Sequence, residues 1–111
     1  MSESYARMTR GVILTTLYIA WQQGLTDPSN RRRMGKAVIE TTLNLRATMP
    51  PRSDYLQALD WLEGAGYVAV DWAMDSHQDY ETVTLTQSGI ALYENKRAAQ
   101  AEPGVALPPR R

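Results

Sequence analysis

Cations carry the most legible chemistry in this chain. Arg31, Arg32 and Arg33 are consecutive and Lys36 follows three residues later, the densest basic cluster in the 111 residues. Guanidinium and ammonium groups at that density can hold phosphate oxygens through charge-assisted hydrogen bonds. The same cluster also serves as a solvated helix end, or as the complement of an acidic surface on another subunit. Asp75, His77 and Asp79 alternate, so on an extended strand they would share a face as metal ligands do. His77 is the only histidine, and the segment fits an exposed polar turn better, so no metal site is expected. Nucleophilic catalysis finds no support: there is no cysteine, no serine with a plausible base beside it, and no glycine-rich phosphate loop. We therefore expect neither an enzyme nor a cofactor.

A net charge of zero hides a strong polarity along the chain. Met1 to Arg52 carries eight basic side chains against three acids, a net +5. Ser53 to Asn95 carries eight acids and no Lys or Arg, and the remainder returns the balance with +3. Such asymmetry bears on partners rather than on fold. With 43% hydrophobic residues, the chain can build a single core, expected over residues 1–99. Without cysteine, packing alone must stabilise it. The N-terminus shows no charged-then-apolar leader, and the longest apolar stretch, Gly11 to Trp21, is interrupted by Thr15 and Thr16. A cytoplasmic protein without a membrane anchor is the expectation.

These charges must be positioned by a short series of elements. Ile13, Leu14, Leu17, Ala20 and Trp21 recur at helical spacing, which predicts a central helix from about Tyr5 to Gln23, closed by Gly24 in a left-handed cap. Asp27 as N-cap and Pro28 at the first helical position predict a second helix, with Met34, Val38, Thr41 and Leu45 on one face and Pro50-Pro51 as its stop. Tyr55, Leu56, Leu59 and Leu62 predict a third, over about Ser53 to Glu63, ended by Gly64 and Gly66. Val68, Val70, Trp72 and Met74 alternate along an extended segment, Asp75–Asp79 turns, and Tyr80 to Leu85 returns as its partner strand. Thr86 can cap a final helix, Gln87 to about Ala99, whose Ile90, Leu92 and Tyr93 close the core. Residues 100–111 are Pro-rich and are expected to be a disordered tail.

Three helices, a hairpin and a closing helix, in that order, resemble the winged helix-turn-helix superfamily. The stretch from Tyr55 to Val68 resembles that family's recognition helix running into its first wing strand. Leu85 to Tyr93 resembles the segment after the wing in many bacterial winged-helix regulators. The resemblance implies an α+β fold, mostly helical, and double-stranded DNA bound as a homodimer over paired half-sites. On that reading Arg31, Arg32, Arg33 and Lys36 clamp phosphates at a helix start, and Arg52, Ser53 and Gln57 present the third helix to the groove, where Gln57 can read adenine.

The charge map opposes this reading. A helical projection puts Asp54 and Asp60 on the outward side of the third helix with Ser53, Gln57 and Trp61. The hairpin adds Asp71, Asp75, Asp79 and Glu81 without one cation to release counterions from DNA. The alternative function is a protein-interaction winged helix whose acidic third helix and wing meet a basic surface. Trp61, the large aromatic on that outward side, is either an interface residue or covered by the wing strand or an N-terminal segment that buries it next to Trp72.

Overall fold

The computed structural model describes residues 3–73, 77–95 and 102–107. The first helix, α1 (Glu3–Gln22), buries Ile13, Leu14, Leu17 and Ala20, as its spacing predicts. It stops at Gly24, whose φ of 74° only glycine adopts without strain. The N–H groups of Gly24 and Leu25 bond back to the carbonyls of Trp21 and Ala20 at 3.1 and 2.9 Å, the paired bonds of a left-handed cap.

The second helix begins later than the Asp27-Pro28 signal predicts. The Asp27 carboxylate accepts from the Ser29 backbone N–H and hydroxyl at 2.9 and 2.8 Å, and the Asn30 side chain accepts from the Arg32 N–H at 3.0 Å. These local bonds offer the backbone a turn in place of a helix. The chain then forms a strand that sequence reasoning missed, β1 (Arg33–Gly35), before α2 (Lys36–Leu45). The expected inward stripe is corrected with it. Met34 is buried from the strand, Ile39 and Leu43 are the buried residues of α2, and Thr41 and Leu45 are exposed. A residue of β1 cannot set the phase of a helix that starts after it.

Helix α3 (Arg52–Gly64) buries Tyr55, Ala58, Leu59 and Leu62 and leads into β2 (Val68–Trp72). β3 (Tyr80–Leu85) lies between β1 and β2 in an antiparallel sheet of order β1-β3-β2. Val68 pairs with Leu85 and Val70 with Val83, but Trp72 pairs with Tyr80, so Glu81 has no partner on β2. This bulge resets the alternation: it sends Tyr80 into the core and leaves Glu81 in solvent. Thr86 caps α4 (Gln87–Glu94) by accepting the Gly89 N–H at 3.1 Å, and Ile90 and Leu92 are buried as expected. α4 stops at Glu94, short of the expected Ala99, because Asn95 is already extended; Met74, the first residues of the predicted turn, 96–101 and 108–111 lie outside the described residues.

Residues 102–107 depart from the expected disordered tail. Val105 is buried in the core, and the Ala106 N–H donates to the Arg7 carbonyl at 3.0 Å. The described residues thus form a small, mostly helical α+β structure of four helices and a three-stranded antiparallel sheet. Its element order fits a winged-helix layout, with β1 as the third strand of the sheet. No helix among the described residues is long and apolar enough to cross a membrane.

Candidate functional site

The cations expected to grip phosphates fall into two groups. Lys36 and Arg52 are the first residues of α2 and α3, positions where the helix macrodipole disfavours a cation. Neither helix has a side-chain N-cap, since Gly35 and Pro51 hold those places. The hairpin supplies the missing negative charge. Asp79 Oδ1 lies 2.8 Å from Lys36 Nζ and 3.2 Å from Arg52 Nη2, and Arg52 Nη2 also donates to the Gln78 carbonyl at 3.0 Å. The Lys36 ammonium and the Tyr80 backbone N–H hold the Asp79 carboxyl down at about 2.

Arg31, Arg32 and Arg33 lie toward the opposite end of the sheet. Arg33 pairs with Thr84 while Gly35 pairs with Thr82, so the strand carries the chain away from the arginines by on the order of 10 Å before Lys36 meets the hairpin tip. Arg33 is paired with Asp27 at 2.8 Å, and Asp27 is held at about 2 by the Ser29 N–H and hydroxyl and then by Arg33. Arg32 is exposed and donates to the neutral Gln87 side chain at 3.0 Å. Arg31 is exposed and in no ion pair among the described residues; it borders an open concavity with Trp21 and Thr26. The expected placement at the start of the second helix is corrected: the three arginines precede β1 or lie in it, ahead of α2, and Arg32 instead reaches Gln87, the first residue of α4.

Ser53 and Gln57 are exposed on α3, as the helical projection places them, beside a shallow hollow lined also by Asp60, His77 and Gln78. His77 Nδ1 lies 3.1 Å from Asp60 Oδ1 and its ring stacks on Trp72 at 4.3 Å, so the hairpin folds toward α3. Below this surface a chain of polar groups crosses the core. The Tyr55 and Tyr80 hydroxyls are 2.6 Å apart, and Tyr80 donates to Glu40 Oε2 at 2.7 Å, joining α3, β3 and α2. Burial pushes both phenols well above their ordinary value of 10.0. At the far end of α3, Glu63 accepts from the Val70 N–H at 2.9 Å and the Trp72 indole N–H at 2.8 Å. That carboxylate covers a free N–H of an edge strand.

Trp61 is half-buried rather than a free interface residue. The Arg10 guanidinium stands 4.3 Å from its ring centroid, and Gly104 lies so close that a Cβ there would sit 2.0 Å from the indole. Arg10 also donates to the Gly104 carbonyl at 3.0 Å. Tyr67 donates to Glu102 from the same side; burial and then that carboxylate push the phenol up to about 12. The expected cover is corrected: the 102–107 segment, not the wing strand, lies on the ring, and of the N-terminal part the Arg10 side chain of α1 stands over it.

Two signals for these contacts were present in the chain. It has six Tyr, three Trp and no Phe, so every aromatic carries a polar handle that needs a partner when buried. Gly11 sits in mid-helix, where glycine weakens a helix without a packing reason. Here a Cβ at Gly11 would meet the Ala106 carbonyl oxygen at 1.9 Å, because the 102–107 backbone crosses α1 at that point.

Comparison of the chain with protein-family models, with curated proteins and with solved structures finds no match. The functional reading therefore rests on the geometry above.

Proposed function

We propose that this chain is a winged helix used as a protein-interaction module, in which the α3 and hairpin region receives a basic surface of a partner. The observation that carries the reading is the internal use of cations. Arg33, Lys36 and Arg52, three of the residues expected to grip phosphates, are each paired with an aspartate of the same chain. Asp54 and Asp60 on α3, with Asp71 and Glu81 on the hairpin, leave that region acidic and repellent to DNA. A second copy of the chain is one source of the basic surface, through Arg31 and Arg32, which gives a homodimer or a larger self-assembly.

Duplex DNA is the second reading, favoured by one observation: Arg31 and Arg32 are exposed and in no ion pair among the described residues. A fluorescence anisotropy titration at low salt separates the two. The protein-interaction reading expects an arginine-rich peptide to bind, with affinity falling as salt rises and falling again in the Asp54→Asn/Asp60→Asn variant. It expects a random duplex not to bind. Duplex binding that loses about 0.9 of log–log salt slope per contact removed in Arg31→Ala/Arg32→Ala would overturn it in favour of DNA.

A further inference from the structure

A cavity of about 460 Å³ opens between α1, the α2–α3 turn and the 102–107 segment. Met8, Val12 and Thr15 line it from successive turns of α1, Arg46 and Thr48 from the turn, and Leu107 from the tail. A second hollow shares Met8, Val12 and Thr48 and extends the apolar floor toward Tyr5 and Met49. Met8 is 58% exposed. Apolar concavities of this size with a few polar groups are the usual form of a small-molecule site.

Two polar groups set the chemistry. Among the described residues, Arg46 is the only charged one lining the cavity; it is exposed and makes no ion pair with any of them. Thr15 is 6% exposed, and its hydroxyl is buried without a hydrogen-bond partner. The Thr16 hydroxyl, outside the cavity lining, is likewise buried without a partner, whereas two other helical threonines return their hydroxyls to the preceding turn, Thr9 to the Tyr5 carbonyl at 2.9 Å and Thr42 to the Val38 carbonyl at 2.8 Å. Thr15 does not, and a threonine in a helix exchanges hydroxyl for methyl by turning between two χ1 wells. The cavity thus offers apolar walls, a guanidinium in no ion pair among the described residues and, after such a turn of Thr15, one unused hydroxyl.

We infer that this cavity binds a small amphipathic carboxylate, its apolar body against Met8, Val12 and Leu107 and its head group on Arg46. The adaptable Met8 side chain accommodates bodies of different shape. This inference does not rest on the protein-interaction reading, because ligand binding is measured on the chain alone and partner docking on a different surface.

The test is a methyl NMR titration of the full chain with decanoate, 4-phenylbutyrate and decan-1-ol. Saturable shifts of the Met8, Val12 and Leu107 methyls are expected with at least one of the acids, and the tighter acid identifies the body as aliphatic or aromatic. Decanol should bind about tenfold more weakly than decanoate, since it lacks a charge-assisted bond to Arg46. Arg46→Gln should weaken the acids by about tenfold and leave decanol unchanged. Thr15→Val, which removes the unpaired hydroxyl at constant shape, should weaken them a few-fold and preserve the fold. The inference is overturned if no cavity methyl shifts at millimolar probe, or if Arg46→Gln binds decanoate as the wild type does. Cavity methyl shifts that follow protein concentration without probe would overturn it too, by showing a second copy in the cavity.

Discussion

At the hairpin tip one carboxylate, Asp79, gathers Lys36 and Arg52 from two helix starts, whereas across the molecule Arg46 stands at the rim of an apolar cavity and, among the described residues, pairs with no acid. The first region is also tied below its surface, by the Tyr55–Tyr80–Glu40 chain and by Glu63 on the edge of β2. The second is walled by the 102–107 segment, which passes over Gly11 and is held there by the Ala106–Arg7 backbone bond, the Arg10–Gly104 bond and the burial of Val105. Charges that meet partners within the chain build the fold and are spent for binding. Groups left without partners, Thr15 and Arg46 among them, are those available to something else.

The largest effect expected from breaking this contrast is at Gly11. Gly11→Val puts a side chain where the Ala106 carbonyl lies, so 102–107 must leave α1. The loss should approach the burial of Val105, about 1.5–3 kcal/mol, read by urea denaturation. The Val105 and Ala106 amide shifts should move to unstructured values while the hairpin shifts stay in place. Unchanged stability would mean that the tail does not build the apolar face.

Tyr80→Phe attacks the other region. It removes the link between Tyr55 and Glu40 and leaves both without that partner, at a cost of about 1–3 kcal/mol. The same network predicts alkaline instability. Both phenols are raised above 10.0, so their contribution is present below that pH and is lost as pH rises beyond it. Thermal midpoints across pH 9 to 12 should fall less in Tyr80→Phe than in the wild type.

A smaller change of opposite sign is expected between the regions, in the α2–α3 turn. Ala47 has a φ of 53°, in left-handed space that penalises a side chain. Ala47→Gly should raise stability by up to about 1 kcal/mol, the relief of strain exceeding the extra entropy of the unfolded glycine. A lower midpoint in chemical denaturation would contradict this.

The smallest effect is at Asp79, an exposed carboxylate whose pairs are screened by solvent. Its folded value of about 2 lies below its ordinary 3.8, as does that of Asp27, so their stabilisation is present above about 4 and is lost as pH falls toward 2. Asp79→Asn should flatten the thermal midpoint against pH across that window.

The helices α1, α3 and α4 and the hairpin were legible in the chain because each announces itself locally, through apolar spacing or through a cap such as Gly24 or Thr86. Ser53 and Gln57 were likewise placed correctly on the outside of α3 by helical projection alone. β1 was not legible: three residues carry no periodicity, and Arg33–Gly35 extend only because β3 offers an edge to pair with. Nor was the role of Asp79, since a carboxylate in a turn repels or pairs according to which helix starts the folded hairpin brings beside it. The tail and Trp61 follow the same logic. Composition marks residues 100–111 as Pro-rich, but only the folded α1, with Gly11 bare of a side chain, provides the track on which Val105 can be buried. Local pattern determined α1, α3, α4 and the hairpin; β1, the start of α2, the pairing of charges and the ordering of the tail depend on contacts remote in sequence, which exist only once the elements have packed.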